Sequence, residues 1–330
     1  MASTQTIAEH YGRADLGTVI LAALNAAGKN IDRLEPDDLA PIDELHSRGR
    51  ESTSDLARLL ALKGDETVLD VGCGIGGPSR YLAKTYGCRV TGLDLTPEFC
   101  QVAAMLAERT GLAGKVEYRQ GDALAMPFAD RSFDVVWSQS VAMNIADRHR
   151  LNNEVKRVLK PTGRFAFSDV VDGGGGPPHF PVPWARESSI SFLLTAQARR
   201  AKLEAAGFDL ITFEDQTARA LARAEGRMKP DGAPLALGLH IVLGQDAPTM
   251  LKNMLRNYQE GRVGLVQGIA TRRNKNNVSP RNRASSQRRS ASMSPDRTRA
   301  RRRSDRVVCA TCCNFGRSSV RKLAPKRRVK

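Results

Sequence analysis

Asp70, Asp94 and Asp122 each stand at or just after the end of a strand-like run, and the first is followed at once by the glycine-rich turn of VLDVGCGIGG. Gly72, Gly74 and Gly77 fit the G-x-G-x-x-G spacing in which backbone approaches a pyrophosphate at a helix N-terminus. An ionised Asp70 two residues before the first glycine argues against that ligand: a carboxylate repels a pyrophosphate and attracts an ammonium or a sulfonium. Asp94, 24 residues further on, is placed to accept hydrogen bonds from two ribose hydroxyls. Asp122, in Gly121-Asp122-Ala123, can accept from an adenine amino group. The expected ligand is therefore a cationic nucleoside, S-adenosylmethionine, rather than a dinucleotide. Three acids at the ends of three successive runs carry more information than the glycines.

The elements that would hold these residues alternate in type. Strands are predicted over 67–71, 89–93, 116–119, 133–137 and 164–168, from short apolar or β-branched runs bounded by turn residues. Between them, 78–86 reads as a helix with proline in its first turn. A second helix begins at Thr96-Pro97-Glu98, carries Phe99, Val102, Ala103 and Leu106 on one face and stops at Gly111. A third carries Leu151, Val155, Val158 and Leu159. Such alternation over more than a hundred residues predicts an α/β fold with a parallel sheet covered on both faces. Ahead of it, Leu56, Leu59 and Leu60 and the run from Val19 to Leu24 predict an N-terminal helical cap, 1–63. After the fifth strand come a Gly- and Pro-rich loop, 172–179, expected as a mobile rim over the ligand crevice, a helix from about 195 to Gly207, and a strand over 209–213. A helical insertion to about Glu260 and a last strand over 262–269 complete a domain drawn as 64–270.

These pieces resemble the class I S-adenosylmethionine-dependent methyltransferases from about residue 46 to 270. The resemblance rests on VLDVGCGIGG, the strand-end acid of VTGLDLT, GDALAMPFAD followed by SFDVVW, and VLKPTGRFAF. It is strongest to the sarcosine/dimethylglycine N-methyltransferases, with the ubiquinone/menaquinone and sterol or tocopherol C-methyltransferases close behind. It implies a Rossmann-like sheet of seven strands whose last is antiparallel. It also implies cofactor contacts at Asp70, Gly72, Gly74, Asp94 and Asp122, with Cys73, Leu95, Ala123 and Gln139 beside them. The expected reaction is methyl transfer to a small molecule, most simply the nitrogen of an amine such as sarcosine or dimethylglycine, with carbon methylation of a quinone, sterol or tocopherol-like ring as the alternative. An amino acid predicts a small pocket with a cation for its carboxylate, whereas a lipid ring predicts a wide apolar crevice.

No dedicated catalytic residue follows from the sequence, because in-line transfer from an activated sulfonium asks first for positioning. A carbon nucleophile on a phenol ring would need a base such as His149 or His179. Tyr11, Asn144, His179 and Trp184 are the substrate-side candidates, and Trp137 and Phe192 join Tyr11 and Trp184 as possible aromatic walls for a developing quaternary ammonium. His10 and His46 read as surface or capping residues. Cys73, Cys88 and Cys100 read as small apolar packing. No metal site is expected, since Cys309, Cys312 and Cys313 offer one CxxC without a second pair.

Of 51 Lys and Arg, 20 lie after residue 270 against two of the 35 acids, so residues 1–270 carry net −2 and the last 60 carry +18. The basic character of the chain belongs to this tail, 271–330, whose composition predicts disorder. Nucleic acid is an expected partner only through the tail, with a nucleic-acid-binding protein or an RNA methyltransferase directed by it as the further alternative; the tail otherwise reads as a localisation signal or as unselected sequence. The apolar stretch near Val19 is about half the ~20 residues of a bilayer span and follows acids rather than a basic head, so no transmembrane segment or leader is expected and the cytoplasm is the predicted compartment.

Overall fold

The computed structural model describes residues 4–13, 15–227 and 236–273, all within one unit, Met1–Asn277. The basic tail from 274 and its three cysteines lie outside the described residues. Four helices lead: α1 (Thr4–Tyr11), α2 (Leu16–Ala26), α3 (Pro36–Asp43) and α4 (Arg50–Leu60). The alternating part follows as β1 (Thr67–Val71), α5 (Gly77–Tyr86), β2 (Arg89–Asp94), α6 (Pro97–Arg109), β3 (Val116–Gln120), β4 (Phe133–Gln139), α7 (Arg148–Val158) and β5 (Leu159–Asp172). The chain continues through α8 (Ala196–Ala205), β6 (Phe208–Asp215), α9 (Thr217–Arg227), α10 (His240–Leu243) and α11 (Ala247–Gln259) to β7 (Val263–Arg272).

The seven strands form one sheet in the order β3-β2-β1-β4-β5-β7-β6, in which β7 runs antiparallel to both its neighbours. Successive residues of β1 serve opposite faces, as the two-residue period of a strand requires. Leu69 joins Val136, Phe165 and Phe167 in a core closed by Leu151 and Val155 of α7 and Leu203 of α8. Val68 joins Val90, Val135 and Trp137 in a second core closed by Leu56 and Leu60 of α4 and Leu82 of α5. Burial on both faces explains why these strands read as continuous apolar runs. Strand order reverses between β1 and β4, and the crevice beyond their carboxyl ends is where open α/β sheets bind ligands.

The N-terminal helices are packed into this body. Leu16, Ile20 and Leu24 of α2 and Leu39 and Ile42 of α3 share a core with Phe99 and Leu106 of α6. Leu59, expected on the buried stripe of α4, points outward at 38% exposure, and Leu56, Ala57 and Leu60 make the contact instead. Leu159 leaves helix α7 and pairs with Phe133 as the first residue of β5, because Pro161 excludes helical continuation. The glycine run after Asp172 is also not the expected rim over the crevice. Gly173 and Gly175 donate their N–H groups to the carbonyls of Arg262 and Gly261, and a Cβ at Gly173 would lie 2.3 Å from the Gly261 oxygen. These glycines serve close backbone approach.

Candidate functional site

A cavity of about 380 Å³ opens at the carboxyl ends of β1, β2 and β4, and Asp70, Asp94 and Asp122 all line it. Asp70 is 2% exposed and accepts a 2.6 Å hydrogen bond from the Ser79 hydroxyl of α5. Burial pushes its carboxyl up to about 7, the Ser79 bond opposing the rise and the charges of Asp94 and Glu44 adding to it. Asp94 accepts from the N–H of Gly74 through Oδ2 at 2.8 Å and from the N–H of Thr96 through Oδ1 at 2.9 Å. Burial raises its carboxyl as well, with those amides opposing the rise. The Thr96 hydroxyl and the Leu95 N–H add to these bonds and hold the carboxylate in place at the end of β2. Asp122 accepts from the N–H of Leu124 through Oδ1.

The glycine turn is built for close approach. Gly72 and Cys73 both donate to the Leu93 carbonyl, Gly76 donates to Cys73, and Gly74 is held by Asp94. The amides of Gly72, Cys73, Gly74 and Gly76 are thus spent inside the fold. Gly72 has φ +69°, and a Cβ there would meet Val141 Cγ2 at 2.3 Å. We expect Gly72→Ala to cost about 2–4 kcal/mol, from left-handed strain and a clash with backbone-anchored Val141, read as a lower urea midpoint at unchanged m-value.

Of the other expected contacts, Leu95, Ala123, Gln139, Tyr11, Asn144 and Trp184 line the same cavity, but several are already committed. Gln139 accepts from Trp137 Nε1 and the Thr53 hydroxyl and donates to Ser52, tying β4 to α4. Asn144 accepts from the Tyr11 hydroxyl and donates to the carbonyls of Trp184 and Ile190. It clamps α1 and the 184–190 segment over the crevice. His179 is not in the cavity lining; its Nε2 lies 2.8 Å from Glu260. Trp137 is fully buried in the sheet core, and His149 is exposed beside Asn153 on α7. None of these three is placed to act on a ligand there. His10 and His46, read as surface residues, do line the cavity. His46 is 7% exposed, with Nε2 2.8 Å from Glu44. His10 Nε2 lies 3.2 Å from the Pro183 carbonyl; burial lowers its pKa, the carbonyl opposing and Arg186 reinforcing the shift. Nothing in local periodicity marks either imidazole.

Much of the remaining lining is apolar. Ile7 of α1, Trp184, Phe192, Leu243 and Met250 and Met254 of α11 contribute to it. Among the described residues no group of three or more His, Cys, Asp or Glu is placed to hold a metal ion. The lining suits S-adenosylmethionine by charge: the buried Asp70 and the half-buried Asp94 and Asp122 attract an ammonium and a sulfonium.

Comparison with known proteins agrees. A family described as a methyltransferase domain matches residues 69–167. Sarcosine/dimethylglycine N-methyltransferase of Halorhodospira halochloris is 34% identical over 193 residues, 58% of this chain and 68% of the relative. The chain belongs to the class I S-adenosylmethionine-dependent methyltransferases. A sterol 24-C-methyltransferase of Gibberella zeae is 33% identical over 169 residues, and there the methyltransferase described here covers only 44% of the relative and 49% of itself. The geranyl diphosphate C-methyltransferase of Streptomyces coelicolor A3(2) has the same fold, with TM-score 0.60 and 21% identity over 82% of this chain and 97% of that one. The chain is thus a small-molecule methyltransferase whose cofactor is S-adenosylmethionine, and no described helix is long and apolar enough to cross a membrane.

Proposed function

We propose that this methyltransferase acts on an apolar acceptor, a quinone, sterol or tocopherol-like ring or a comparably hydrophobic molecule. The observation that carries the reading is the acceptor-side wall of Trp184, Phe192, Met250 and Met254 with Ile7 and Leu243. Methionine and aromatic side chains adapt to an apolar ligand and exclude water, whereas a free amino acid would lose hydration against these side chains. In this reading Asp70 faces the cationic end of the cofactor, Asp94 takes the ribose and Asp122 the adenine amino group, with Gly72, Gly74, Leu95 and Ala123 giving shape contacts. When bound, the cofactor supplies a methyl already activated on a sulfonium. The residues of the chain hold the acceptor in line with it and keep water out. Tyr11 and Asn144 act as positioning residues, closing α1 over the site. The cytoplasm is the proposed compartment.

A second reading, N-methylation of a small amine, is favoured by the 34% identity to a sarcosine/dimethylglycine N-methyltransferase. Labelled methyl transfer from S-adenosylmethionine separates the two. We expect demethylmenaquinol or γ-tocopherol to be methylated with kcat/KM at least about tenfold above sarcosine and dimethylglycine, the factor that one apolar contact in a pocket supplies. Turnover of dimethylglycine alone would establish the amine reading instead.

A further inference from the structure

Arg227 occupies an unusual place for a cation. It ends α9, whose cavity-side positions are otherwise apolar: Ala220, buried against the core, and Ala224, which lines the cavity one turn before Arg227. Spacings of i, i+4 and i+7 put all three on one face, so the guanidinium sits where the pattern calls for another small apolar residue. It is exposed, yet protein crowds it enough that burial, with Arg223 adding, pushes its pKa down. Its free surface therefore belongs in part to the cavity it lines. The 44–49 loop makes room for it: a Cβ at Gly49 would come within 3.3 Å of Arg227 Nη2.

No described carboxylate pairs with this guanidinium. Glu44, whose Cβ lies 3.9 Å from that Gly49 position, is occupied by Arg50 Nε at 2.5 Å, by His46 at 2.8 Å and by the Thr53 hydroxyl at 2.7 Å. The other lining guanidinium, Arg186, is neutralised by Asp246. Among the described residues Arg227 is thus the one lining guanidinium without a carboxylate partner, opposite in sign to Asp70, Asp94 and Asp122 of the same lining. An arginine fork in an apolar, partly dry setting matches a carboxylate or phosphate oxygen pair.

We propose that Arg227 anchors an anionic head group, carboxylate or phosphate, on an otherwise apolar methyl acceptor. This rests on the apolar-acceptor reading and narrows it to amphiphiles whose charged end lies at the α9 terminus and whose reacting atom reaches the cofactor end.

The test uses the full chain saturated with S-adenosylhomocysteine and two chain-matched probes below their aggregation limits, decanoate and decanol, titrated calorimetrically. Decanoate is expected to bind about tenfold or more tighter than decanol, the range of a charge-assisted pair. Arg227→Met should remove that preference and leave decanol within about threefold. Arg227→Lys should keep part of it, and Arg186→Met, already paired with Asp246, should leave it intact. Unchanged S-adenosylhomocysteine affinity reports that each variant is folded. Equal loss of both probes in Arg227→Met, or no loss of either, overturns the anchor while leaving the apolar cavity standing. Failure of both probes to bind the parent chain overturns the apolar-acceptor reading itself.

Discussion

Asp70→Asn is expected to make the ligand-free chain more stable at pH 8 while weakening its hold on S-adenosylmethionine by about 10- to 100-fold. Burial, reinforced by Asp94 and Glu44 against the Ser79 hydrogen bond, holds the Asp70 carboxyl at about 7, whereas in an unfolded chain it titrates near ~3.9. The folded state therefore binds the proton more tightly, and its contribution to stability is complete below about pH 4 and is lost as pH rises through about 7. That difference corresponds to on the order of 4 kcal/mol between those limits. Asparagine carries no such dependence, so the two stability curves should diverge steadily from pH 4 to pH 8 in urea titrations. Binding has the opposite sign. A cationic ligand favours the ionised carboxylate, so the affinity of the parent chain should rise from pH 5.5 to 8 and that of the variant should stay flat. Parallel curves for parent and variant would mean that Asp70 does not face the charged end of the cofactor.

Asp43→Ala is expected to cost about 3–5 kcal/mol, because it strands a charge. Arg80 of α5 is fully buried, with its Nη2 2.8 Å from the Asp43 carboxylate and its Nη1 donating to the Ala103 carbonyl at 3.3 Å. Removing one member of a buried pair leaves the other without compensation, while replacing both by apolar residues of similar volume is often close to neutral. The double variant Asp43→Leu/Arg80→Met should thus recover most of the loss, to within about 1–2 kcal/mol of the parent. The pair also holds α3 against α5, where a Cβ on Gly77 would lie only 2.4 Å from the Asp43 carbonyl. Asp43→Ala should accordingly loosen the loop bearing Leu45 and His46 and lower cofactor affinity by about tenfold. A single-variant cost below about 1 kcal/mol would show that α3 is held chiefly by the apolar core of Leu39 and Ile42.

Arg80 and Asp43 also mark where reading the chain alone stopped. The strand and helix succession was legible because each element is specified within itself, by a two-residue or a 3.6-residue apolar period and by glycine and proline at its ends. The three acids were legible for a related reason. They sit at fixed offsets from those ends, and an α/β sheet brings its strand ends to one crevice whatever the details of packing. Side-chain placement beyond those ends depends on approach between segments far apart in the chain. Tyr11 meets Asn144 across 133 residues and His10 meets Pro183 across 173, and no local pattern encodes either distance. Hence His179 and Trp137, plausible by type, were drawn to Glu260 and to the sheet core, while His10, His46 and Arg227 were brought to the cavity. Element order and the acidic lining of the crevice follow from local pattern. Which further side chains line the cavity follows from long-range packing, which chooses the surface of each helix that looks inward.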